Sequence, residues 1–113
     1  MEIGFKSSKM QKICSSERAM KAAFNAAIAE RLKQRLSELN AADSLADLTN
    51  DKLPQANCHE LGQDRKGQLA VDLSAKIRLI FVPAHEPIPC KVGGGLDWSR
   101  VKRVLILEVT DYH

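Results

Sequence analysis

The sequence predicts an α+β fold, in which an N-terminal strand and a helical hairpin pack on one face of a small, mostly antiparallel sheet. Three observations carry that expectation. A short alternating segment opens the chain, with Ile3 and Phe5 apolar among polar neighbours. Apolar residues then recur at spacings of four and three through Met20, Phe24, Ile28, Leu32, Leu36 and Leu39, the stripe of an amphipathic helix. The second half alternates with a period of two between turn residues, the pattern of half-buried strands. Helices first and strands later in one chain favour segregated layers over alternating βαβ units.

Each element has a local reason. Residues 2–6 form the first strand, and residues 9–14 a helical turn. Ser16 precedes Glu17, a helix N-cap followed by an acidic first turn. The stripe is divided near Asn25, a residue that tolerates the left-handed conformation of a helix C-terminus, so helices are expected at 17–24 and 26–40. Arg31, Lys33 and Arg35 are assigned to the solvated face of the second helix, interleaved with Glu30 and Glu38. Leu45 and Leu48 lie in one further turn that closes over the core.

A hairpin follows, with strands at 68–73 and 77–82. Leu69, Val71 and Leu73 share one face with Ile77, Leu79 and Phe81. Ala70 and Asp72 share the other with Arg78, Ile80 and Val82. Residues 83–100 hold Pro83, Pro87, Pro89 and Gly93-Gly94-Gly95, an irregular loop of functional length. Trp98 after it is expected to cover an edge of the core. Val104 to Val109 is nearly all apolar, as in an internal strand covered on both faces.

Composition narrows the function. A chain of 113 residues with 44% hydrophobic and 27% charged content is expected to be one globular domain. Aromatics at 4% argue against a base-stacking platform for single strands. The net charge of +3, spread evenly along the chain, permits an anionic partner without demanding one. Three irregularly spaced cysteines, Cys14, Cys58 and Cys90, give no disulfide framework and suit a reducing cytoplasm as small buried hydrophobes. The first residues lack the apolar core of a signal peptide, and no run is long enough to cross a bilayer, so no membrane association is expected.

Cys58, His59, His85 and Cys90 lack the spacing of zinc ligands, no nucleophile elbow is present, and the three glycines are not a phosphate loop, so no metal or cofactor is expected. His59, Arg65, Lys66, Arg78, Tyr112 and His113 remain. These residue types suit metal-independent cleavage of an RNA phosphodiester. A histidine takes the proton of the 2′-hydroxyl near neutral pH, and arginine stabilises charge on the phosphoryl oxygens. A further acid protonates the leaving 5′-oxygen. Each residue also has an ordinary structural role open to it. His59 suits a strand edge, Arg78 an ion pair with Asp72 or Glu108, and Tyr112-His113 a frayed tail.

The segment from Cys58-His59-Glu60-Leu61 through Gly62-Gln63-Asp64-Arg65-Lys66-Gly67 to Phe81, with Asp111-Tyr112-His113, resembles the HigB branch of the RelE/ParE toxin superfamily, plasmid-maintenance killer proteins of bacterial toxin–antitoxin systems. The stretches at 9–16, 31–39 and 44–48 agree with it, and the 83–100 loop reads as an insertion. The resemblance implies a RelE-like fold and a toxin that acts as an mRNA endonuclease on the translating ribosome. Its implied partners are the ribosome, mRNA and a co-encoded helix-turn-helix, HigA-like antitoxin, with operator DNA reached only through the antitoxin. By position it assigns catalysis to His59, Arg78, Tyr112 and His113, with Asp111 beside them. The candidate substrate-binding residues are Arg65 and Lys66, the cations of the turn, and Asp111. Gly62-Gln63 stand where such toxins often carry a lysine, with Lys66 its candidate substitute. Ser74 stands near the place of a second basic residue. Two alternatives stay open: a ParE-like toxin that poisons DNA gyrase by binding, and a catalytically weak antitoxin-binding module.

Overall fold

A computed structural model describes residues 1–111, so Tyr112 and His113 lie outside the described residues. Strand β1 (Glu2–Phe5) is followed by helices α1 (Ser8–Ile13), α2 (Glu17–Ala23) and α3 (Ala26–Ala41). Strands β2 (His59–Glu60), β3 (Leu69–Asp72), β4 (Ile77–Pro83) and β5 (Arg103–Asp111) complete an α+β fold. The sheet order is β1-β5-β4-β3-β2. Its pairings are antiparallel except that of β1 with β5, which is parallel. Among the described residues no helix is long and apolar enough to cross a membrane.

The helices start where side chains accept the orphan N–H groups of their first turns. Ser7 caps α1 through the Met10 amide at 3.1 Å, and Ser16 caps α2 through that of Ala19 at 3.1 Å. Asn25 differs from the expectation of a left-handed helix end. It is extended (φ −71°, ψ 167°), and its Oδ1 accepts from the Ile28 amide at 2.9 Å, so it begins α3 rather than ending α2. At the other end of α3, the Met1 ammonium donates to the carbonyls of Leu39 and Asn40, at 3.1 and 3.0 Å. A positive charge there complements the helix dipole and ties β1 to α3.

The main core lies between the helices and one face of the sheet. Leu32, Leu39, Leu69, Leu79, Phe81 and Ile106 are all at most 1% exposed within it. Leu45 and Leu48, on a short 3-10 turn, close over it as expected. The alternation of the hairpin is also as expected, because Val71, Leu79 and Phe81 enter this core while Ala70 and Ile80 face away. The face away from the helices carries only a small apolar cluster of Leu61, Ala70 and Ile80, with Leu107 against it. Here β5 departs from expectation. It is internal in the sheet, yet only one of its faces lies under the helices, and Glu108 on the other is exposed.

Arg35 is a second correction. It was expected on the solvated side of α3 with Arg31 and Lys33, which are exposed, but it is only 3% exposed itself. Its guanidinium is consumed by three acceptors, described below.

The segment between β4 and β5 is irregular but anchored. Its Gly93, Gly94 and Gly95 all have positive φ (93°, 106° and 87°), a turn that side chains with a Cβ rarely adopt. Trp98 packs against the core edge, and its Nε1 donates to Glu60 Oε2 at 3.0 Å, binding this segment to β2.

Candidate functional site

Strand register gathers the chemistry on the helix-free face. Residues directly opposite one another across a sheet point to the same side. His59 pairs with Ala70, Ala70 with Ile80, and Ile80 with Glu108, which forms one rung. Two residues along, Asp72 pairs with Arg78 and Arg78 with Thr110. Strands lie about 4.8 Å apart and alternate residues about 6.8 Å apart, so the Cα atoms of His59 and Arg78 are roughly 12 Å apart on that face. Side chains as long as arginine and histidine span most of such a gap.

Asn57, just before β2, joins the two rungs. It follows a 3-10 turn over Pro54–Ala56 and takes the left-handed conformation (φ 47°, ψ 49°), which asparagine accepts more readily than most residues. This turns its backbone carbonyl to within 2.7 Å of His59 Nδ1. A carbonyl only accepts, so Nδ1 is the nitrogen that donates in this contact, and Nε2 is the nitrogen that bears the lone pair whenever the ring is neutral. The Asn57 side chain reaches the other way, and its Nδ2 donates to Asp72 Oδ2 at 3.1 Å. The second carboxylate oxygen, Oδ1, lies 3.1 Å from Arg78 Nε as an ion pair. Of the two acids considered for Arg78, Asp72 is therefore the partner. The pair is half-buried, with side chains 25% and 15% exposed.

Arg35 supports this line from beneath. Its Nε donates to the Asp72 carbonyl, its Nη2 to the Gln55 carbonyl and its Nη1 to Glu38 Oε1, each at 2.8 Å. The backbone on both sides of the Asn57–Asp72 contact is thus held by one buried cation.

The remaining candidates are distributed. Arg65 lies on the turn between β2 and β3, donating to Gln68 Oε1 at 2.8 Å and Glu108 Oε2 at 3.2 Å. It reaches across the open face above the small apolar cluster. Lys66 is exposed on the same turn. Asp111 ends β5 opposite Ile77, which by alternation is the helix-side face rather than the face of Arg78. The structure therefore places His59 and Arg78 on one sheet face, with Arg65 reaching Glu108 on that face, and leaves Lys66 at the turn and Asp111 at the strand end. Asn57, Asp72 and Arg35 belong to the same constellation and are missing from the candidates that the sequence suggests.

Among the described residues no group of three or more His, Cys, Asp or Glu could hold a metal ion. The cysteines are poor nucleophiles where they are covered. Burial pushes the Cys58 thiol up to about 12, aided by Glu60, and that of Cys14 up to about 11. Cys90 departs from the expectation of a buried hydrophobe and is exposed.

No family model and no curated protein matches the chain. Solved structures do. The YoeB–YefM complex from Staphylococcus aureus matches with a TM-score of 0.54 at 11% identity, over 100% of this chain and 97% of that one. A YoeB/ParE toxin from Agrobacterium tumefaciens matches with a TM-score of 0.52 at 10% identity, over 100% of both chains. Likeness at this identity establishes the architecture: the chain has the α+β fold of these YoeB-like toxins.

Proposed function

We propose that this chain is the toxin of a type II toxin–antitoxin pair, HigB-like in its site residues, which cuts mRNA on the translating ribosome. The observation that carries the reading is the histidine–arginine pair on a helix-free sheet face, joined through Asn57 and Asp72. His59 Nε2 takes the proton of a ribose 2′-hydroxyl. The 2′-oxygen then bonds to phosphorus while the bond to the 5′-oxygen breaks, leaving a 2′,3′-cyclic phosphate. His113 supplies the proton to the 5′-oxygen, with Tyr112 beside it, both assigned by the sequence resemblance. Arg78 stabilises the negative charge that grows on the phosphoryl oxygens. Arg65 and Lys66 hold flanking phosphates. The step needs no metal ion as written.

The proposed partners are the ribosome with its mRNA and a helix-turn-helix antitoxin, all in the cytoplasm. An antitoxin partner as such, of whatever type, is supported by the match to a structure in which YoeB is bound to YefM.

The test is controlled expression of the wild type, His59→Ala and Arg78→Ala in a bacterium without the antitoxin, with new mRNA 5′ ends mapped. Cuts within translated frames should appear for the wild type and fall by at least about a hundredfold for both variants. Growth arrest without new ends would refute the nuclease and favour ParE-like gyrase poisoning. Absence of arrest would favour an antitoxin-binding module.

A further inference from the structure

Asn57 is used twice. Its backbone meets one member of the proposed catalytic pair, His59, and its side chain meets Asp72, the ion-pair partner of the other member, Arg78. We propose that Asn57 is the positioning residue of the site: its carbonyl sets the tautomer and ring plane of His59, and its amide sets Arg78 through Asp72. This deepens the nuclease reading and rests on it for the link to catalysis.

Three independent features converge. First, the left-handed backbone at Asn57 is an unfavourable conformation for most residues, and such conformations persist where surrounding structure fixes them. Here the conformation is what aims the carbonyl at Nδ1. Second, an asparagine amide supplies a donor to Asp72 Oδ2 without adding charge. A lysine in its place would compete with Arg78 for the carboxylate, and an aspartate would repel it. Third, Arg35 grips the carbonyl of Gln55, in the 3-10 turn just before Asn57, and the carbonyl of Asp72, so both segments that meet at the Asn57–Asp72 contact are held. The separation across which Asn57 acts is thereby fixed by a buried guanidinium. Asn57 touches no reacting atom in this scheme, so it acts through the two residues that do.

The two roles can be separated. Asn57→Gly accepts the left-handed backbone and keeps the carbonyl, but it removes the amide. Asp72→Asn keeps the shape of the side chain and removes the charge that pairs with Arg78. In the free protein, nitrogen-15 spectra of the imidazole should show His59 protonated on Nδ1 in the wild type and in both variants. The Arg78 Nε–H should exchange with solvent at least about tenfold faster in both variants than in the wild type. In ribosome-dependent cleavage, kcat should fall by about tenfold to a hundredfold with KM unchanged, since misplacing a charge-stabilising group affects the transition state more than binding.

Wild-type exchange of Arg78 Nε–H in Asn57→Gly would overturn the link. So would a cleavage loss confined to KM. If the wild type itself does not cut mRNA, the nuclease reading fails separately. The spectra then decide the link alone: faster Arg78 exchange with the His59 tautomer retained upholds it, and unchanged exchange overturns it. Should Asn57→Gly fail to fold, Asn57→Asp, which also tolerates the left-handed backbone but replaces the amide donor with an acceptor, gives the same two readouts.

Discussion

Replacing Arg35 by alanine should be among the most damaging single changes in the helical layer, although it removes no apolar side chain of the stripe. The magnitude follows from its three acceptors. The carbonyls of Asp72 and Gln55 each lose a charge-assisted donor in a part of the molecule where Arg35 is only 3% exposed. A hydrogen bond from a charged donor contributes about 1.5–3 kcal/mol, so the two part-buried bonds together contribute about 4 kcal/mol. Glu38, with 17% of its side chain exposed, can turn to water and adds little. For a domain of this size, about 4 kcal/mol corresponds to a fall of roughly 16 °C in Tm. The assay is urea unfolding followed by circular dichroism, reading the midpoint at constant slope. Arg35→Lys keeps a cation but not the planar fork and should recover only part of the loss. Arg31→Ala, at an exposed position one turn earlier, should stay within about 0.5 kcal/mol of the wild type. A loss under about 1 kcal/mol for Arg35→Ala would refute the argument, because it would mean that the two carbonyls find other donors without Arg35.

Two further outcomes follow from the thiols and the surface charges. Cys90 is exposed, whereas burial raises the thiols of Cys14 and Cys58 to about 11 and 12, so a thiol reagent at neutral pH should label Cys90 rapidly and the other two only on unfolding; rapid labelling of two or more thiols in the folded protein would contradict this. Glu17 is held below the ordinary carboxylate range, first by its hydrogen bond from Lys33 and then by the charge of Lys33, and Lys33 is raised in turn. The pair therefore contributes at neutral pH. That contribution is lost as pH falls through the depressed value of Glu17, and again as pH rises through the raised value of Lys33. Since the pair is exposed, the effect should be small and should fade in high salt; urea midpoints of the wild type and Glu17→Gln should converge at acid pH, and a gap that persists there would sink the assignment.

Much of this architecture was legible in the sequence because it is periodic. The hairpin declares its two faces through alternation of Leu69, Ala70, Val71 and Asp72, and that alone put Arg78 on the face opposite Leu79. Arg35 was missed although a signal for it existed. Ile28, Leu32, Arg35 and Leu39 are spaced by four, three and four, so the guanidinium occupies a place in the buried stripe. A long charged side chain is ordinarily assigned to solvent, and only the acceptors it meets, 20 and 37 residues away, reverse that assignment. Asn57 could not be found locally at all. Its importance depends on the register of His59 against Ala70, which places residue 57 beside Asp72, and register between separate segments is not written in either one. The same holds for the parallel partnership of β1 and β5, which no short-range pattern encodes.

That partnership bears on when the molecule becomes whole. Glu2 meets Arg103 across 101 residues of chain, and β5 stands between β1 and β4. Bringing such distant segments together costs about 4 kcal/mol of chain entropy before any contact between them forms. On a ribosome, the first strand emerges roughly a hundred residues ahead of the strand it must lie beside. Until β5 arrives, β1 has no neighbour in the sheet, and β4 has an open edge in the place where Thr110 will flank Arg78. The nascent chain thus carries His59 and Arg78 with their contacts to Asn57 and Asp72 well before it carries β5, and the sheet face on which they lie is completed only when β5 has been made.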